Sequence, residues 1–314
     1  MTLVTHPALG IGLSLVAAVL LAIGTQFQHH GVAQISRTGD VPQASLSWRQ
    51  IRALLVRPAW VMGTVLLGFA VALQLVSLTI AQLIVVQPLG AFALVVTAIM
   101  HARTSKTPLD FRSVRAIAVC IVGVGTFVTV AAFVAKENPV TGTQLRAVLL
   151  ILAVTLSGFL AMLRWFRTKA IPPIAFVIAA GVLFGFVVTL AKVVISRVQT
   201  IIFVEGKLDP SDALTVLCLV GLIAAGLLGS YFVQIAHSAN PPDLVVAGLT
   251  VIDPLIAVTI GVIVLGEAAD APVWAVATFV FSGAASIWGV LSLARHHPHA
   301  RSNPAPNNQT ANPS

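Results

Sequence analysis

Nine apolar segments follow one another along this chain, and the short stretches between them hold most of its charges. Each is roughly 20 residues long, the length at which an apolar helix crosses a bilayer. Hydrophobic residues make up 58% of the chain and charged residues 9%, against roughly 45–50% and 25% in soluble domains. The sequence therefore predicts an all-α polytopic membrane protein with nine transmembrane helices and excludes a sizeable soluble catalytic or nucleic-acid-binding domain. The predicted spans are residues 8–29, 59–80, 82–101, 114–134, 146–165, 173–196, 213–236, 243–266 and 273–294.

The Lys and Arg residues between the spans predict the orientation of the chain. With the N-terminus outside, the inner loops and the tail carry thirteen Lys and Arg residues, and the outer segments carry four. Because cytoplasmic loops are enriched in these residues, we expect an N-out, C-in multi-pass protein of the cell (inner) membrane. The net charge of +8 then faces anionic lipids, which are the expected partner rather than nucleic acid. We expect a basic amphipathic helix within the loop 30–58 and a disordered tail at 296–314.

Two spans contain a polar residue followed by proline, Gln87-Pro88 in one and Asp253-Pro254 in the other. A proline removes a backbone donor and loosens the helix, so we predict a helix break at both prolines. The prolines lie 166 residues apart, near half the chain, which indicates an internal duplication.

The duplication predicts two four-helix repeats, residues 1–135 and residues 172–295, joined by a linking helix within residues 136–171. Two consecutive four-helix repeats would enter the membrane in the same direction, but the linking helix turns the second one over. The repeats are therefore expected to be inverted relative to each other. In transporters this arrangement places the substrate site near the midplane, between the repeats.

Several short motifs carry a family resemblance. The sequence IDPL at 252–255 runs on to LGE at 265–267, and with the repeat layout it resembles the drug/metabolite transporter superfamily, the permeases built from duplicated EamA-type units. The sequences VQPLGA at 86–91 and TLAK at 189–192 are more similar to the magnesium-transporter-like (NIPA-type) branch. The first repeat departs from the pattern, because His101 stands where the second has Glu267. The resemblance implies a permease that moves its substrate by alternating access.

Ionisable groups inside a membrane are costly, so they are candidates for function. Asp253, near the middle of its span, either exchanges a proton or binds a cation, or it caps the helix that restarts at Pro254. Its neutral counterpart is Gln87. Lys192 either contacts an anionic substrate or Asp253, or it extends to the outer interface.

Other polar residues are weaker candidates. Gln74, Gln234 and His30 are candidates to line a polar path, although each alone more often forms a helix–helix hydrogen bond. Glu267 lies at a span end, where a capping carboxylate and a gate are both open interpretations. The two cysteines lie in separate apolar segments and the tail histidines are unconstrained, so we predict no metal site and no disulfide.

Three functions remain open. The chain has no hydrolytic or nucleotide-binding motif, so we predict that it is not an enzyme and needs no cofactor. The first hypothesis is a permease for a small metabolite or drug, coupled to protons through Asp253. The second is a magnesium or divalent-cation transporter, although a hard cation wants several oxygen ligands and the core offers one carboxylate. The third is a non-transporting membrane scaffold, and the sequence leaves both a monomer and a homodimer open.

Overall fold

The computed structural model describes residues 7–36, 56–105, 110–136, 140–165, 172–202 and 212–296. Within these ranges all regular secondary structure is helical, and nine helices are long and apolar enough to cross a membrane. The predicted all-α, multi-pass membrane class is thus confirmed. The amphipathic segment expected in the loop 30–58 lies mostly outside the described residues, as does nearly all of the tail.

The helices follow the predicted spans closely. Proline opens several of them, where its missing N–H costs nothing because the first turn has no intrahelical acceptor. The third span is divided into two helices and a 3-10 segment. The elements are α1 (Pro7–Ser36), α2 (Pro58–Ile80), α3 (Leu83–Val86), a 3-10 helix (Gln87–Gly90), α4 (Ala91–Ser105), α5 (Phe111–Val134), α6 (Gly142–Trp165), α7 (Pro173–Thr200), α8 (Asp212–Ala239), α9 (Pro242–Ile263) and α10 (Val273–His296).

The bundle is organised by close helix pairs. Helix α1 packs along α2, α7 packs along both α8 and α9, and α5 packs along α10. Small residues allow these approaches, as expected where lipid supplies no hydrophobic drive between helices. A Cβ atom added at Gly181 or Gly185 would meet Ile252 or Ile256 of α9 at 2.7 Å. The Gly181-x-x-x-Gly185 motif therefore serves close helix packing.

The short helix α3 lies at the centre of the bundle. Its four residues, Leu83 to Val86, are fully buried. Leu83 and Val86 belong to a hydrophobic cluster formed mainly by α6 to α9, whereas Ile84 and Val85 belong to a second cluster formed with α4, α5 and α10. Helix α3 thus joins two regions of the core.

The two prolines have different effects on their helices. At Pro88 the helical geometry tightens into the 3-10 segment. At Pro254 helix α9 continues without interruption from Pro242 to Ile263. The predicted break at Pro254 is therefore corrected to a continuous helix, in which the proline removes one backbone donor without ending the element.

Candidate functional site

A cavity of about 300 Å³ lies between helices from both halves of the chain. Its polar lining comes from Gln74 on α2, Gln87 in the 3-10 segment, and Thr250 and Asp253 on α9. The remaining lining residues are small or apolar, among them Ala17, Ala18, Leu21, Ala70, Val71, Gly90, Val188, Leu249 and Pro254. The structure therefore brings three of the candidate residues, Gln74, Gln87 and Asp253, to one place.

Two side chains in this cavity have buried polar atoms without a partner. Oδ1 of Asp253 and Nε2 of Gln87 form no hydrogen bond within the described part of the chain. Gln87 is only 5% exposed. A buried polar group left unpaired costs about 1–3 kcal/mol, so such groups call for an explanation. Here one atom accepts and the other donates, and both belong to residues that line the same space.

Backbone geometry adds to the polarity of the cavity. Pro254 has no N–H to offer to the carbonyl of Thr250, four residues earlier in α9. The Thr250 hydroxyl donates to the carbonyl of Val246 at 2.8 Å, so this side chain is already engaged within the helix. A second, almost wholly apolar cavity of about 90 Å³ shares Thr250 and Pro254 with the first. The two cavities thus share a stretch of wall formed by Thr250 and Pro254.

Lys192 does not line the cavity, and of the alternatives left open by the sequence, a side chain extended to the outer interface is not what the structure shows. The side chain is 3% exposed. Its Nζ donates hydrogen bonds to the carbonyls of Leu78 at 2.7 Å and Ala81 at 3.0 Å. These carbonyls belong to the end of α2, where backbone acceptors have no helical donors. Lys192 therefore caps the C-terminal end of α2.

Glu267 caps the helix that follows. Its carboxylate oxygens accept hydrogen bonds from the backbone N–H groups of Leu83 and Ile84, both at 2.8 Å. These are the first two N–H groups of α3, and Gln82 before them provides no side-chain cap. Glu267 is 4% exposed. Of the two roles open from the sequence, the structure shows a capping contact, made in the interior and not at the interface.

Together these contacts enclose the two-residue turn Ala81–Gln82, which we call the recessed turn. Ala81 is fully buried and Gln82 nearly so. Buried irregular backbone needs partners within the protein, and here side chains of α7 and of the segment after α9 supply them. The buried Oε1 of Gln82 itself has no partner in the described part of the chain. Gln199 of α7 also reaches the carbonyl of Thr79 at 3.5 Å.

The segment around Glu267 is itself held in place. Gly266 has a φ of 71°, a left-handed conformation that glycine adopts without strain. Nε2 of Gln144 donates to the carbonyl of Leu265 at 3.1 Å, and the N–H of Lys136 donates to the carbonyl of Glu267 at 2.9 Å. Lys136 also forms an exposed ion pair with Asp270 at 2.9 Å, and this hydrogen bond lowers the pKa of Asp270 below its ordinary value.

Two candidate residues lie away from the cavity. Gln234 and His30 are exposed, and neither lines it. The placement of His30 and Gln234 on a polar path is thus corrected, because their helices turn these side chains outward. Conversely, the sequence did not single out Thr250 or the contacts of Gln144. The signal for Thr250 was its position four residues before Pro254, where the proline leaves a carbonyl without its helical donor.

Among the described residues, no group of three or more His, Cys, Asp or Glu side chains is placed to hold a metal ion. Cys120 and Cys218 are both buried free thiols. The cavity itself offers one carboxylate, from Asp253, together with amide and hydroxyl groups. Its chemistry suits hydrogen bonding with a single charged contact.

Nine apolar helices in the described ranges define a multi-pass helical membrane protein, and a cavity with a partly polar lining lies between helices of its two halves. The chain is 25% identical over 263 residues to an uncharacterized protein of Corynebacterium glutamicum, and the alignment covers 82% of this chain and 85% of that protein. No family model matches the chain, and no solved structure matches it. The similarity to the corynebacterial protein extends over most of both chains and is not confined to one segment.

Proposed function

We propose that this protein is a permease of the drug/metabolite transporter type, which moves a small molecule across the cell membrane by alternating access. The observation that carries the proposal is the cavity between the two halves, lined by Gln87 and Asp253, each of which has a buried polar atom without a partner in the described part of the chain. Unsatisfied polar groups around an internal space are typical of a site that receives a ligand. The substrate supplies the missing partners.

The proposal includes two inverted four-helix repeats and an N-out, C-in orientation. The packing supports the repeats, because α1 packs along α2 in the first half as α7 packs along α8 in the second. The polar-proline segments of both halves line one cavity, as expected for a site between inverted repeats. In this orientation the recessed turn lies at the outer end, and rocking one half against the other exposes the cavity to each side in turn.

Uptake into liposomes containing the purified protein tests the proposal. A panel of small metabolites is offered with and without a pH gradient, and we expect gradient-dependent uptake of at least one member. Asp253→Asn should remove the dependence on the gradient, because Asp253 carries the exchanged proton. Asp270→Asn is the matched control, since Asp270 is an exposed carboxylate outside the spans. Unchanged pH dependence in Asp253→Asn would remove Asp253 as the coupling residue.

A steric variant tests whether the described cavity is the transport site. Gly90 lines the cavity, and a Cβ atom there would meet nothing within 4 Å. Gly90→Ala should therefore preserve folding and uptake. Gly90→Leu should fill part of the cavity and reduce uptake of the larger panel members first. Equal uptake by both variants would place the pathway elsewhere.

The alternative functions are supported less well. A magnesium transporter needs several oxygen ligands, usually with more than one carboxylate. In the described cavity lining, Asp253 provides the single carboxylate. Magnesium uptake in the same liposomes tests this alternative directly. In a scaffold, we would expect the polar residues near the midplane to form hydrogen bonds with one another. The unpaired atoms of Gln87 and Asp253 do not fit that expectation.

A further inference from the structure

The charge distribution around the cavity restricts what it can bind. Among the described residues that line it, Asp253 is the only ionisable side chain, and no Lys, Arg or His is present. An anionic ligand would face a carboxylate and no cation, which is unfavourable. A cationic ligand would balance Asp253.

An anion site in the cavity would need a nearby basic residue, and Lys192 is a candidate from the same bundle. In this conformation, however, Lys192 does not line the cavity. Its ammonium group is held by the carbonyls of Leu78 and Ala81 at the recessed turn. Moving it toward the cavity would leave these buried carbonyls without their donor inside the protein, which is unfavourable. The cavity is therefore electrostatically selective against anions.

The unpaired atoms define a second requirement. Oδ1 of Asp253 accepts a hydrogen bond, and Nε2 of Gln87 donates one. A ligand that satisfies both carries a donor, such as an ammonium group, and an acceptor, such as a carbonyl oxygen. The same pattern disfavours a bare divalent cation. The N–H dipole of Gln87 would repel it, and a single carboxylate balances only half of its charge.

Size and wall chemistry set the remaining limits. The volume of about 300 Å³ is at the lower end of the range for small-molecule pockets, roughly 300–1,000 Å³. The walls are formed largely by alanine, leucine and valine side chains such as Ala17, Ala70, Val188 and Leu249. The ligand therefore has a short apolar body in addition to its polar groups.

From these observations we infer that the cavity binds small organic monocations with a hydrogen-bond acceptor and an apolar body, and that it excludes anions. The inference rests on the proposed permease function. Asp253 is the counter-ion of the ligand, and Gln87 donates to its acceptor. Lys192 is held at the recessed turn and therefore does not balance the charge of an anion in the cavity.

Probes that share the leucine side chain and differ in charge test the inference. Uptake into liposomes is measured for leucinamide, a cation with a carbonyl, for neutral N-acetylleucinamide and for anionic N-acetylleucine, and likewise for the alanine and phenylalanine series. We expect cation uptake to exceed anion uptake at least tenfold in the series that is transported. Uptake of the anion at an equal or higher rate overturns the inference and leaves the permease intact. Absence of uptake of all probes and of the metabolite panel overturns both.

Two variants assign the selectivity to residues. Asp253→Asn should abolish the preference for leucinamide over N-acetylleucinamide, whereas Asp270→Asn should keep it. Gln87→Leu should reduce uptake of leucinamide but not of 3-methylbutylamine, which has the same ammonium group and no carbonyl. A general folding defect would reduce both amines together, and size-exclusion profiles of each variant monitor folding. Retained cation preference in Asp253→Asn, or equal loss for both amines in well-folded Gln87→Leu, contradicts the assignment.

Discussion

Two short turns in this molecule connect consecutive spans in very different ways. The recessed turn, Ala81–Gln82, lies between α2 and α3 and is buried. The turn between α8 and α9, Asn240–Pro241, which we call the surface turn, is largely exposed. Side chains from the second half of the chain form hydrogen bonds with the backbone at and beside the recessed turn. At the surface turn, Asn240 itself donates to the carbonyls of Pro173 and Ala236 at 3.0 Å.

The difference follows from where each turn stands relative to its polar-proline pair. Pro88 comes six residues after Gln82, whereas Pro254 comes thirteen residues after Pro241. The shorter segment places the recessed turn closer to the cavity, where it is buried in the protein. Buried backbone groups need protein partners. Lys192 and Glu267 supply them, and they thereby attach the first half of the chain to the second at this end.

Removing the Glu267 carboxylate should have the largest effect on stability. Glu267→Ala leaves the N–H groups of Leu83 and Ile84 without acceptors in a fully buried position. Each buried N–H left without its acceptor costs about 1–3 kcal/mol, less the burial cost of the carboxylate, which disappears with the side chain. The free energy of unfolding, measured by SDS titration in mixed micelles, should fall by about 2–4 kcal/mol. Asp270→Ala, three residues away and exposed, is the control, and an equally small loss in both would mean that the cap contributes nothing.

Substitution of Lys192 should have the next largest effect. Lys192→Met keeps the length of the side chain but leaves the carbonyls of Leu78 and Ala81 without their donor. We expect a loss of about 1–3 kcal/mol, less than for Glu267→Ala because buried carbonyls without a donor are tolerated better than buried N–H groups without an acceptor. The exposed Lys136→Met is the matched control in the same titration.

The two caps should also be coupled, because they hold opposite sides of one turn. The double variant Lys192→Met/Glu267→Ala should lose about 0.5–3 kcal/mol less than the sum of the single losses, since the turn is already released by either change. Strict additivity would show that the two residues stabilise independent parts of the molecule.

The surface turn should be much less sensitive. Asn240→Ala removes the two hydrogen bonds to Pro173 and Ala236, but Pro173 is exposed to water and the carbonyl of Ala236 keeps the backbone N–H of residue 240 as a donor. The expected loss is about 0.5–1.5 kcal/mol. The same unfolding titration measures it, with Ser238→Ala as a control in the last turn of α8. A loss as large as that of Glu267→Ala would remove the distinction between the two turns.

The contrast between the turns also explains what the sequence could predict. Nine spans were predictable because runs of about 20 apolar residues have few other interpretations. That Gln87 and Asp253 line one cavity was predictable in outline from their placement in equivalent spans. The caps were not, because the partners of Glu267 are backbone N–H groups 183 and 184 residues away, which no side-chain pattern records. Gln234 was misplaced because a lone glutamine in an apolar helix does not indicate which face is turned inward.

Removing the exposed ion pair between Lys136 and Asp270 should have the smallest effect on the free energy of unfolding. The pH dependence of that effect distinguishes the pair from the buried caps. Lys136 lowers the pKa of Asp270 below its ordinary value of 3.8. A lowered pKa in the folded state means that the pair stabilises the protein fully above the ordinary value and that this contribution is lost as pH falls through the lowered one. Solvent and salt screen such pairs strongly, so the effect should be slight and should shrink further at high ionic strength. Unfolding titrations of wild type and Asp270→Asn between neutral pH and pH values below 3.8 should therefore converge at the acidic end. A difference that persists there, or that resists salt, would mean that Asp270 supports the Glu267 segment by a route other than its charge.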